Sequence, residues 1–171
     1  AVELMLSIFS ERRPEAVLVI GAGKAASLVI QALFSRRVGH VLVTNRTYEA
    51  AYQLTQRVGG KAVPFDSLVE AMGRADVIIS ATAAPHLVLR RPMVESALAE
   101  RGGRPLFIID IAVPRDVEPT VAELPNVFLY DMDALKGIGP TEMGSGKLDT
   151  DRVWCIIDEW TARYVDWLDS L

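Results

Sequence analysis

A chain of 171 residues, half of them apolar and 23 % charged, suffices for one substantial core, or for a core with an appended helix. Its apolar runs are strand-length and stop short of the ~20 residues a membrane span needs, so the chain reads as soluble. One cysteine excludes an internal disulfide framework and fits a reducing, cytoplasmic compartment, while a net charge of −4 argues against an extended nucleic-acid surface. The amino-terminal stretch is amphipathic (Val2, Leu4, Met5, Ile8, Phe9) and lacks a basic leader or cleavage site. It begins at Ala1 without a methionine, and residues 1–13 read as the end of a linker helix in a longer protein.

Residues 16–20 (Ala-Val-Leu-Val-Ile) form the first apolar strand, followed by Gly21, Ala22, Gly23, Lys24, Ala25 and Ala26 and then an apolar-periodic helix over 24–37. A strand leading through G-x-G-x-x-A into a helix is the pattern of a dinucleotide-binding βαβ unit. Gly21 allows the tight turn, and Gly23 lets the backbone approach a pyrophosphate. Ala26 is small enough for the helix to pack on the strand, and the N–H groups of the helix start face the phosphates.

The second strand, 40–44, ends on Asn45, Arg46 and Thr47, with no carboxylate before Glu49. An NAD site carries an acid here for the adenosine ribose, whereas a guanidinium and a hydroxyl suit the 2′-phosphate of NADPH. Thr47 also suits the N-cap of a helix over 48–58. A third strand at 61–64 and a helix at 67–72 follow, with Asp66 as its expected N-cap. The fourth strand is 76–80, a helix runs over 92–101, and the fifth and sixth strands are 106–110 and 127–130. Continuous apolar strands alternating with helices predict an α/β, doubly wound parallel sheet of the Rossmann type in the order 3-2-1-4-5-6. Ligands of such sheets lie outside the carboxyl ends of the strands. That rule selects loops 21–26, 81–86 and 111–115, hence Ala81, Thr82 and Ala83 with Ile111, Ala112 and Val113 as further cofactor contacts.

His86 ends the fourth-strand loop, which allows two readings: a polar contact or proton donor near the reacting carbonyl, or a loop histidine bonded to backbone. Asp110 and Arg115 are expected to brace the fifth-strand loop as an ion pair. Asp131 and Asp133 have too few companions for a metal site and suit a hinge or a cap.

From 136 to 150 the composition turns to a Gly/Pro-rich linker. Its Gly144-Ser-Gly-Lys147 fails as a Walker motif, because Thr141 and Leu148 stand where a glycine and a hydroxyl residue are required. Residues 151–171 read as an appended amphipathic helix whose stripe of Val153, Ile157, Trp160, Tyr164, Trp167 and Leu171 suits docking or dimerisation, with Cys155 a small hydrophobe beside Trp154. Residues 14–135 form the expected NADP-binding domain.

Over about residues 1–135 the chain resembles the NADPH-binding domain of glutamyl-tRNA reductase. The carriers are Asp110-Ile-Ala-Val-Pro-Arg-Asp-Val-Glu-Pro119, Leu124-Pro-Asn-Val-Phe-Leu-Tyr-Asp-Met-Asp133 and Ser80-Ala-Thr-Ala-Ala-Pro-His86. The fingerprint and Asn-Arg-Thr alone fit shikimate dehydrogenase equally well. Ala25-Ala26 replaces the family's Met-Gly pair, and the 136–150 linker interrupts the usual passage into a dimerisation helix. The resemblance implies NADPH-dependent reduction of a cysteine-linked glutamyl thioester, made from glutamyl-tRNA, to glutamate-1-semialdehyde for tetrapyrrole synthesis. It places the nucleophile in an amino-terminal domain outside this chain, and implies a homodimer and the pathway's aminotransferase as partners. A non-catalytic NADPH-binding scaffold that docks a partner through Trp154, Trp160 and Trp167 is the alternative of a different class.

Overall fold

The computed structural model describes residues 2–9 and 14–132. The linker at 136–150, the helix at 151–171, Cys155 and Asp133 lie outside the described residues. In chain order the elements are α1 (Val2–Ile8), β1 (Ala16–Ile20), α2 (Lys24–Ser35), β2 (His40–Thr44), α3 (Tyr48–Val58), β3 (Lys61–Val63), α4 (Leu68–Arg74), β4 (Val77–Ser80), α5 (Arg91–Ala99), β5 (Leu106–Asp110) and β6 (Val127–Asp131). Six strands form one sheet in the order β3-β2-β1-β4-β5-β6. Every pairing is parallel, so the expected doubly wound arrangement is present.

The apolar runs explain why both faces are covered. Successive strand side chains point to opposite faces. Val17, Val19, Val77 and Ile79 pack with Ile30 and Leu33 of α2, and Met5 of α1 joins the same cluster. Leu18, Ile20, Ile78 and Ile108 pack on the other face against Leu68 and Met72 of α4 and Val94 of α5. The alternation leaves no polar position in β1, which is why the strand reads as an unbroken hydrophobic run.

Most element ends shift by one or two residues, α5 for instance running over Arg91–Ala99 rather than 92–101, and two of the shifts have a clear local cause. Helix α2 stops at Ser35 rather than at 37, because Arg37 adopts a left-handed φ of 59°. That turn lets the Val38 N–H return to the Leu33 carbonyl at 3.1 Å and buries Val38. Asp66 is not the cap of the fourth helix. Pro64 leads into a 3-10 turn, Phe65–Ser67, so α4 starts one residue later with Ser67 in the cap position.

Arg101 supplies a structural feature that sequence reading missed. The residue is 2 % exposed, although no ion-pair partner is found among the described residues. It donates instead to backbone carbonyls: Met72 at 2.9 Å, Gly73 at 3.2 Å, Ala75, Arg104 at 3.2 Å and Pro105. Three of these close the carboxyl end of α4, where the helix leaves unsatisfied acceptors with partial negative charge. Burial, then the neighbouring Arg104, pulls the pKa of Arg101 below the ordinary guanidinium value, while Asp76 opposes the shift.

Candidate functional site

Beyond the carboxyl ends of β1, β2 and β4 lies a cleft of about 430 Å³, lined by residues 21–25, by Asn45 and Ala50, and by residues 81–83. The first wall is the glycine turn. Gly21 has φ +116°, and a Cβ added there would sit 2.5 Å from the Ala81 carbonyl oxygen. The Gly21 N–H donates to the Thr44 carbonyl at 2.8 Å, which ties the turn to β2 as well. Two requirements therefore converge on glycine at this position, one of conformation and one of space. Gly21→Ala is expected to cost about 1–3 kcal/mol from backbone strain alone, with β4 loop displacement added. A urea titration checks this, and an unchanged midpoint would contradict it.

Gly23 is different. Its φ is −84°, and a Cβ added there would meet nothing within 4 Å. The missing side chain leaves open space over the amino terminus of α2, whose first N–H groups have no partner within the helix. Ala26 is fully buried and lies behind the cleft rather than in it, where its small side chain lets α2 approach β1.

The second wall comes from the end of β2. Asn45 is half-buried, and its Nδ2 donates to the Thr47 carbonyl at 3.2 Å. Thr47 occupies the N-cap position of α3 without a side-chain capping bond. Arg46 and Thr47 are exposed beyond the cleft lining, and Arg46 makes no hydrogen bond or ion pair among the described residues. Glu49 is engaged elsewhere, accepting from Gln53 Nε2 at 3.2 Å. Ala50 lines the cleft although the sequence offered no sign of it beyond its place one turn into α3.

The third wall is held by carboxylates from the β5 loop. Asp110 does not pair with Arg115. Its side chain points inward and accepts the N–H groups of Ala112 at 3.0 Å, Asp116 at 2.9 Å and Val117 at 3.0 Å. Arg115 is instead paired with Asp131 on β6, at 3.0 Å. An inward carboxylate at the end of a buried strand can satisfy the N–H groups of the tight loop that follows, which an outward guanidinium cannot do. Burial raises the Asp110 pKa above the ordinary carboxylate value, the three N–H groups oppose that shift, and the charge of Asp116 adds to it.

Asp116, which the sequence analysis did not single out, is fully buried. Its Oδ2 accepts from Ser80 Oγ at 2.7 Å and from the Thr82 N–H at 3.1 Å, and its Oδ1 accepts from Thr82 Oγ1 at 2.6 Å. The available signal was a pair of hydroxyl residues, Ser80 and Thr82, at the end of an apolar strand. Such groups need a buried acceptor.

The remaining expected positions lie outside the cleft lining. Ile111 is half-buried, Ala112 is buried, and Val113 is 82 % exposed on the β5 loop. His86 is exposed and makes no hydrogen bond among the described residues. A second cleft, of about 300 Å³, lies beside the start of β2 next to His40, far from the strand ends that carry the glycine turn.

Comparison with known proteins gives these features a context. The family model described as shikimate / quinate 5-dehydrogenase matches residues 3–138. Glutamyl-tRNA reductase of Trichlorobacter lovleyi is 39 % identical over 171 residues, all of this chain and 39 % of that protein. Glutamyl-tRNA reductase of Desulforudis audaxviator is 49 % identical over 138 residues, 81 % of this chain and 31 % of that protein. Among solved structures, glutamyl-tRNA reductase from Methanopyrus kandleri superposes with a TM-score of 0.73 at 46 % identity, covering 80 % of this chain and 35 % of the other. The nucleotide-binding domain of the Thermoplasma volcanium enzyme shares the fold, with a TM-score of 0.60 at 20 % identity over 80 % of this chain and 88 % of the other. The chain thus spans well under half the length of the curated relatives it matches.

Proposed function

The chain belongs to the shikimate / quinate 5-dehydrogenase family and corresponds to the nucleotide-binding part of the glutamyl-tRNA reductases, and from that premise we propose that it holds NADPH for such an enzyme. A nicotinamide cofactor follows from the kinship with dehydrogenases. The choice of NADPH rests on the end of β2, where Arg46 is exposed without a protein partner among the described residues and the nearest carboxylate, Glu49, is turned to Gln53. That is the observation which carries the reading. An acid at this point would repel a 2′-phosphate, and a free guanidinium binds one.

In this reading the dinucleotide lies along the three walls. The N–H groups of residues 23–26 hold the pyrophosphate, Asn45, Arg46 and Thr47 hold the adenosine ribose and its 2′-phosphate, and Ala81, Thr82 and Ala83 face the middle of the cofactor. Ile111, Ala112 and Val113 bound the nicotinamide end. The exposed Val113 offers an apolar surface there. When bound, NADPH supplies a hydride for reduction of the glutamyl thioester formed from glutamyl-tRNA. None of the chain's described residues is assigned the covalent step, and His86 is placed near the nicotinamide end without a role in proton transfer. The reading extends to a cytoplasmic homodimer working with an aminotransferase, supported by the family resemblance.

Cofactor preference is the test. The chain is expected to bind NADPH more tightly than NADH, and Arg46→Ala to narrow that gap by about 1.5–3 kcal/mol, roughly ten- to a hundredfold. Calorimetric titration of both cofactors decides, and equal affinities in the unmutated chain would overturn the assignment.

A further inference from the structure

We infer that Asp116 is a positioning residue that sets the nicotinamide half of the cleft by clamping the β4 loop to the β5 loop. The inference rests on the NADPH reading given above. Its basis is the convergence of two loops, distant in sequence, on one buried residue.

Every polar atom Asp116 has available is committed to this junction. Its carboxylate takes the Ser80 hydroxyl at 2.7 Å, the Thr82 hydroxyl at 2.6 Å and the Thr82 N–H at 3.1 Å. Its carbonyl accepts the Val88 N–H at 2.7 Å and the Leu89 N–H at 3.0 Å, so the same residue holds both ends of the β4 loop. Its own N–H is given to Asp110 Oδ2 at 2.9 Å. Thr82 Oγ1 then accepts from the Ala84 N–H at 3.1 Å, which extends the network one step along the loop. Neither Asp110 nor Asp116 has a cationic partner among the described residues.

A carboxylate fully removed from water, without a counter-cation, is costly to bury. Stability alone is better served at such a place by apolar side chains of similar volume. What the carboxylate provides that an apolar group cannot is a fixed distance between the β4 loop, which lines the cleft, and the β5 loop behind it. The same loop carries the Ala81 carbonyl that stands against Gly21, so the clamp also sets how closely the β4 loop approaches the glycine turn. The adenosine end lies on β2 and α3 and shares no bond with Asp116.

Two ligands therefore separate positioning from general stability. NADPH spans the whole cleft, whereas 2′,5′-ADP occupies only the adenosine half. In the whole chain, Asp116→Asn is expected to weaken NADPH by about tenfold or more, the loss of a charge-assisted bond, and to change 2′,5′-ADP by less than about twofold. Asp116→Asn keeps the shape but removes the charge and replaces one carboxylate acceptor with an amide N–H₂ donor, so the three donors of Ser80 and Thr82 no longer all meet a carboxylate oxygen. Should it fail to fold, Ser80→Ala removes one hydroxyl arm at a buried position outside the cleft lining and is expected to show the same split to a smaller extent. Equal weakening of both ligands, or no weakening of NADPH in a folded variant, would overturn the inference. An unmutated chain that binds neither ligand would overturn the cofactor reading and the inference with it. Binding of both by the unmutated chain without a split in the variants would leave that reading standing and remove only the clamp.

Discussion

Gly23→Val is expected to abolish NADPH binding while leaving the fold intact. The position has an ordinary φ of −84° and open space in front of it, so the free chain accommodates a side chain there. Replacing glycine at a helix N-cap costs no more than about 1 kcal/mol. In the proposed complex the same space belongs to the pyrophosphate, and an isopropyl group would hold it away from the N–H groups at the start of α2. Losing two charge-assisted bonds of about 1.5–3 kcal/mol each weakens binding by a hundredfold or more. Circular dichroism should be unchanged and the urea midpoint should fall by no more than a loss of about 1 kcal/mol implies, as the titration goes flat. Retained affinity would mean that the dinucleotide lies elsewhere. The contrast with Gly21→Ala is diagnostic, since that substitution damages the fold itself.

Arg101→Met is expected to destabilise the fold by about 3–5 kcal/mol. The methionine fills part of the volume and removes the guanidinium from the carbonyls of Met72, Gly73 and Ala75, of which Gly73 keeps Arg104 Nη2 at 3.1 Å. Each buried acceptor left without a partner costs about 1–3 kcal/mol. Against a total stability of about 5–15 kcal/mol for a domain, that is a large fraction. Arg101→Lys should recover only part of it, because one ammonium cannot span carbonyls on both α4 and the segment after α5. Urea midpoints of the three proteins give the ranking; equal midpoints would show that water replaces the guanidinium at no cost.

The sheet was legible in the residues because its information is local. Each strand is a short run of Val, Ile and Leu, and the glycine fingerprint marks where β1 hands over to α2. Element ends were less so: Asp66 looked like a cap, but Pro64 starts a 3-10 turn that moves the helix one residue on. In the site, the two positions beside each other in the chain misled. Asp110 and Arg115 are close in sequence and opposite in charge, yet one faces the N–H groups of its own loop and the other reaches across to Asp131. Asp116 was hidden for the converse reason, since its partners Ser80 and Thr82 are 36 and 34 residues away. Arg101 reads in the sequence as one more surface charge, and only the folded chain brings five carbonyls around it. Long-range polar contacts leave no periodic trace, and that is the part of the site a pattern of residues does not carry.

The strand order has a kinetic consequence. Pairings β1–β2 and β2–β3 join neighbouring segments, as do β4–β5 and β5–β6, but β1 meets β4 only across the whole first half. The anchor at the base of that seam, from the Ala16 N–H to Asp76, closes a span of 60 residues. Chain entropy disfavours such a closure until both halves present their apolar faces. The cleft opens where those halves meet, with residues 21–25, Asn45 and Ala50 from one and residues 81–83 from the other, so it exists only once the β1–β4 seam is closed.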